Sequence, residues 1–73
     1  MERLGKTITD LLIGEEGIIK EGVLPLQLIE RGILPNEKVK LLQTSLFNGC
    51  LYLNIGGNYL ALGYDVAAII EIV

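Results

Sequence analysis

The stretch Leu26–Leu42, LQLIERGILPNEKVKLL, decides how this chain reads. Pro25, just ahead of it, suits the first position of a helix, where its missing N–H would be unpaired anyway. Leu24 offers no capping side chain, so the helix start is weakly specified. Leu28 and Ile29 give the segment an apolar side. Gly32 can take the left-handed conformation that ends a helix, with Ile33 folding back onto Leu28. Pro35 forbids continuation, and Asn36 tolerates a positive φ, so LPNE reads as a tight turn. The period then switches from that of a helix to that of a strand. In EKVKLL, Lys38 and Lys40 alternate with Val39 and Leu41, as in a half-buried strand. A single short helix, with Leu28, Ile29 and Ile33 as a lid, is thus set into a chain that otherwise alternates.

Downstream the alternation continues. CLYLNI puts Leu51, Leu53 and Ile55 on one face and Cys50, Tyr52 and Asn54 on the other. GGN is a strong hairpin signal, and YLALG is a further strand with Leu60 and Leu62 on a shared face. YDVAAII predicts a helical turn beginning at Asp65, and IIEIV a closing strand. SLFNG reads as the loop between the strands it separates. Upstream, Thr9 or Asp10 caps one helical turn over Leu11 and Leu12, IGEEG is a turn, and GIIKEGV is a short strand between Gly17 and Gly22. These readings sum to an all-β protein of about five short strands, one short helix and one or two helical turns. That set is too small for a sandwich and suits a small, bent barrel in which closure hides the sheet edges.

The totals bound the function. Seventy-three residues make one domain, residues 1–73, with a limited core. The chain is 51% hydrophobic but holds no apolar run long enough to span a bilayer, and MERLGKTITD lacks the apolar stretch of a signal peptide. This predicts a protein that is neither exported nor inserted in a membrane. The formal charge of −3 opposes binding to nucleic acid, which needs a basic face to neutralise phosphates. One cysteine, Cys50, excludes an internal disulfide and fits a reducing, cytoplasmic setting. The high apolar fraction leaves room for a partner patch or a homo-oligomer.

No constellation carries catalysis. The absence of histidine removes Ser–His and Cys–His pairs. Glu15 and Glu16 are adjacent in a turn and diverge. GGNYLALG lacks the lysine and the strand–loop–helix setting of a phosphate loop. The carboxylates are spread too thinly for a hard cation, and no cluster of cysteine or histidine offers a soft-metal site, so neither a metal nor a cofactor is expected. Tyr52, Tyr59 and Tyr64 stand out instead. A tyrosine ring is apolar while its hydroxyl stays wet, which suits contact surfaces.

The order of four pieces, TITDLLIGEEGII, LIERGILPNEKVKLL, GGNYLALG and AAIIEIV, resembles the ferrous iron transport protein A (FeoA) family from Thr7 to Val73. The resemblance implies a small SH3-like β-barrel. It implies a cytoplasmic, non-enzymatic accessory of a bacterial ferrous-iron uptake system that acts on the FeoB-type membrane transporter. The same fold occurs as the C-terminal domain of the metal-dependent, diphtheria-toxin-repressor-like regulators, which makes a regulatory interaction module the alternative. The chain departs from the family at three positions. Gln27 stands where members often have arginine, Asn36 where they often have glycine, and Arg31 where many carry an apolar residue. The residues expected to meet a partner are therefore Gln27, Leu28 and Arg31 on the helix, with Tyr52, Tyr59 and Tyr64.

Overall fold

The computed structural model describes residues 6–21, 24–45, 47 and 49–73. Along the chain run β1 (Lys6–Thr7), a 3-10 turn (Ile8–Asp10), β2 (Glu16–Ile18), α1 (Leu26–Glu30), β3 (Lys38–Ser45), β4 (Cys50–Ile55), β5 (Asn58–Gly63), α2 (Tyr64–Ala67) and β6 (Glu71–Ile72). The described residues are mostly β, with six strands and two short helices. β2, β3, β4 and β5 form an antiparallel sheet in that order, and β1 pairs with β6 in a second. The two sheets are stitched where β2 meets β6. Ile18 and Val73 exchange backbone hydrogen bonds at 3.2 and 2.8 Å, and Lys20 N–H donates to the Glu71 carbonyl at 2.9 Å. Among the described residues, pairing thus runs β1–β6–β2–β3–β4–β5 and does not close between its ends. The closure expected to hide the sheet edges does not reach β5, which keeps an edge among the described residues.

The β4–β5 hairpin follows its sequence closely. Gly56 and Gly57 both have positive φ, 60° and 92°, as a two-residue type I′ turn requires. Pairing then runs from Ile55 opposite Asn58 to Cys50 opposite Gly63 without interruption. β3 runs longer than the alternation in EKVKLL marks, through Ser45, and takes up an irregularity between Leu41 and Gln43 against β4. That extra residue bends the strand and lets eight residues wrap the core.

Helix α1 begins at Leu26, one residue later than predicted, with Pro25 as its N-cap. Its end is a Schellman motif. Gly32 N–H donates to the Ile29 carbonyl and Ile33 N–H to the Leu28 carbonyl, both at 3.0 Å, with Gly32 at φ 89°. Leu28 and Ile33 are buried beneath it, but Ile29 is 39% exposed and is not part of the lid. With only five residues the helix buries one narrow stripe, and Ile29 falls beside it. The LPNE turn forms with Asn36 at φ 69°, and Asn36 N–H donates to the Ile19 carbonyl at 2.8 Å.

The first helical turn also differs from expectation. It covers Ile8–Asp10 with Thr7 as its N-cap, and the Asp10 carboxylate accepts from Thr7 N–H at 2.8 Å. Asp10 thus closes a capping box from its far end rather than starting a turn over Leu11 and Leu12. β1, too short to announce itself, forms because β6 is there to pair with it. Likewise α2 starts at Tyr64, with Asp65 in its first turn. The strand predicted from Gly17 to Gly22 is observed at Glu16–Ile18, with Ile19 bridged to Ile72; Gly22 and Val23 lie outside the described residues, as do Leu46 and Asn48 of the predicted SLFNG loop.

The core is aliphatic throughout. Ile8, Ile19, Ile33, Val39, Leu53, Ile55, Leu62 and Ile70 are its largest fully buried side chains, and no polar or charged residue is buried with them among the described residues. The crossing of β2 and β6 is tight. A Cβ at Gly17 would stand 2.8 Å from Ile72 Cδ1 and 3.4 Å from Ile72 Cβ. Ile72 is itself buried and has little room to swing aside. Gly17→Ala is therefore expected to cost about 1–3 kcal/mol by overpacking, read as a lower urea midpoint. An unchanged midpoint would show that the crossing is loose.

Candidate partner-binding surface

Strand pairing places the candidate residues. On the outward face of the β3–β4–β5 sheet, Tyr52 lies opposite Gln43 on one side and Ala61 on the other, and Asn54 opposite Lys40 and Tyr59. Tyr52 and Tyr59 are thus diagonal neighbours across one strand pair, close enough for aromatic side chains to form one patch. Tyr52 is 37% exposed and Tyr59 77%. The core-facing neighbours Leu51, Leu53 and Leu62 are buried, so the pleat itself turns both rings outward.

Arg31 joins this patch from the helix side. It is the C-cap of α1, and its Nη2 donates to the Ala61 carbonyl of β5 at 3.3 Å. Gln27 is exposed on the same helix. Leu28 is buried at 5% exposure, and its side chain is spent on the core. The helix instead shows solvent two apolar residues absent from the expected set, Leu26 and Ile29. Their signal lay in the length of α1, since five residues cannot bury three leucine or isoleucine side chains on one stripe.

Tyr64 belongs to a separate place. It starts α2, its N–H donates to the Gly49 carbonyl at 2.7 Å, and it lines an open cavity of about 370 Å³ with Thr44, Ser45, Gly49, Cys50 and Leu51. Phe47, in the loop between β3 and β4, is fully exposed. A larger open groove, about 470 Å³, is lined by Glu16, Glu37, Lys38 and Lys40 beside the Gly56–Gly57 turn. Two carboxylates face two ammonium groups there, and Lys38 pairs with Glu16 at 3.7 Å. Such a balanced, solvated set has no charge surplus to select an anion or a cation, and its ion pairs are worth little.

Among the described residues no three His, Cys, Asp or Glu side chains gather where a metal could sit. No helix of the described residues is long and apolar enough to cross a membrane.

The FeoA domain family model matches residues 6–73, nearly the whole chain. The chain belongs to the FeoA domain family. No curated protein matches it. Among solved structures it is similar to an iron uptake regulatory protein (FeoA), with 18% identity, a TM-score of 0.75 and 92% of each chain covered. An FeoA-like protein from Clostridium acetobutylicum gives 16% identity and a TM-score of 0.81 over 94% of this chain and 85% of that one. A manganese-dependent transcriptional repressor gives 18% identity and a TM-score of 0.80. There 99% of this FeoA-family chain covers 42% of the repressor, so the likeness is to one part of a longer protein. At such identities these matches speak for the fold alone. They agree with the SH3-like arrangement of a bent sheet with a short helix across it.

Proposed function

We propose that this FeoA-family chain is a cytoplasmic accessory of a bacterial ferrous-iron uptake system. In this reading it docks on the cytoplasmic region of an FeoB-type membrane transporter and modulates transport without catalysing a reaction itself. The family match over residues 6–73 carries the reading. The surface chemistry supports it, because two outward tyrosines beside an arginine are the residue types that anchor protein interfaces. Tyr52, Tyr59 and Arg31 form the core of the proposed contact, with Gln27 beside them on α1 and Tyr64 as a separate anchor.

The test is titration calorimetry of the full chain against the purified cytoplasmic region of the transporter, paired with ferrous uptake in a strain lacking the chain. Saturable binding and altered uptake are expected. No binding together with unchanged uptake would sink the proposal. The likeness to part of a manganese-dependent repressor favours one second reading, a module that associates with a metal-dependent regulator. Under that reading the chain would bind the regulator and leave the transporter's cytoplasmic region untouched.

A further inference from the structure

The free edge of β5 is unusual for an edge strand. Its turn at Gly56–Gly57 makes Ile55 and Asn58 a hydrogen-bonded pair, and the bond from Tyr64 N–H to the Gly49 carbonyl at the other end keeps the same parity. Between these ends the backbone groups of Leu60 and Leu62 face β4, and those of Tyr59, Ala61 and Gly63 face away from it. β5 is the last strand of its sheet. Among the described residues, one hydrogen bond reaches these outward groups, from Arg31 Nη2 to the Ala61 carbonyl.

Edge strands are normally blunted by lysine, proline, bulges or short length. β5 has six residues, NYLALG, with no charge and no proline, and its pairing with β4 is regular. Among the described residues, its one guard is the Arg31 guanidinium at mid-strand.

We propose that the outer edge of β5 pairs with β5 of a second copy of this chain, and that Arg31 is the latch that limits this pairing. The strand is self-complementary. A two-fold axis through Ala61 sets Ala61 opposite Ala61, with reciprocal N–H to carbonyl bonds, and Tyr59 opposite Gly63 on the outward face. An aromatic ring across from a glycine covers the backbone that the glycine leaves bare. Leu60 and Leu62 oppose each other on the inner face, and no like charges on the strand meet. The axis would, however, bring two Arg31 guanidinium groups together over the acceptors that pairing needs. Like charges so placed oppose association.

Sedimentation equilibrium of the full chain across about two decades of concentration reads the monomer–dimer constant directly. Arg31→Ala is expected to tighten dimerisation about tenfold or more relative to the unsubstituted chain. Adding Ala61→Pro to that variant should return it to monomer. The proline removes an N–H that faces away from β4, so the hairpin ladder is kept. If the doubly substituted chain fails to fold by circular dichroism, Tyr59→Lys in the Arg31→Ala background replaces it, because a lysine on the edge has the same blunting effect. An Arg31→Ala chain no more associated than the unsubstituted one would overturn the proposal. So would a dimer that survives the edge-blocking substitution, or an Arg31→Ala monomer that accepts an unrelated extended peptide on β5 without ever pairing with itself.

Discussion

A Leu53→Ala chain is expected to lose about 2–5 kcal/mol of stability, the usual cost of removing a fully buried leucine side chain and leaving a cavity. Leu53 is 0% exposed and lies mid-strand in β4, paired with Leu41 of β3 and Leu60 of β5. Both flanking strands are hydrogen-bonded to its own, so the walls of the cavity cannot collapse inward without breaking a ladder. The effect is large because the total is small. At about 0.05–0.15 kcal/mol per residue, a chain of this length is stable by only about 4–11 kcal/mol. Leu53→Met, which keeps the volume, should cost less than about 1.5 kcal/mol. Leu12→Ala, at a side chain 73% exposed, should stay within about 0.5 kcal/mol. Urea denaturation of the three variants tests the ordering, and equal midpoints for the Leu53→Ala and Leu12→Ala chains would contradict the assigned core.

The parts that were legible from sequence are those in which local chemistry and tertiary structure agree. Leu51, Leu53 and Ile55 alternate with polar positions and are buried, because one face of β4 is core and the other solvent. Gly32 and Ile33 end α1 as their residue types require, and Asn36 takes the positive φ its turn needs. Features that depend on distant partners were not legible. β1 has two residues and exists because Lys6 and Thr7 find Ile72 and Glu71 at the other end of the chain. The open edge of β5 is a property of where the sheet stops, which no period within NYLALG encodes. Ile29 and Leu28 are adjacent leucine-like residues in one helical turn, and only packing decides which is buried. The candidate surface divides in the same way. The pattern of CLYLNI already turns Tyr52 away from the core. That Tyr59 is its diagonal neighbour follows from the two-residue turn, whereas the reach of Arg31 to Ala61 follows from the placement of α1 against β5.

On the proposed docking, replacing both Tyr52 and Tyr59 by alanine is expected to weaken binding to the cytoplasmic region of an FeoB-type transporter by about 30-fold or more, the loss that truncating an interface hot spot of about 2 kcal/mol or above produces. The two rings share the outward face of β4 and β5, and removing both clears the largest apolar side chains from its centre. Stability should change much less than affinity, because both rings project into solvent on the side of the sheet opposite the core. That separation gives the experiment its force. Thermal unfolding near that of the unsubstituted chain, together with the affinity loss in calorimetry, assigns the effect to contact. Tyr64→Ala is the internal comparison, since Tyr64 sits apart at the Gly49 end of the sheet. If the contact is centred on Tyr52 and Tyr59, the Tyr64 substitution should cost less than the pair. If instead the Tyr64 variant loses most of the affinity and the Tyr52, Tyr59 double variant binds normally, the surface around the 370 Å³ cavity is the docking site and the β4–β5 face is not.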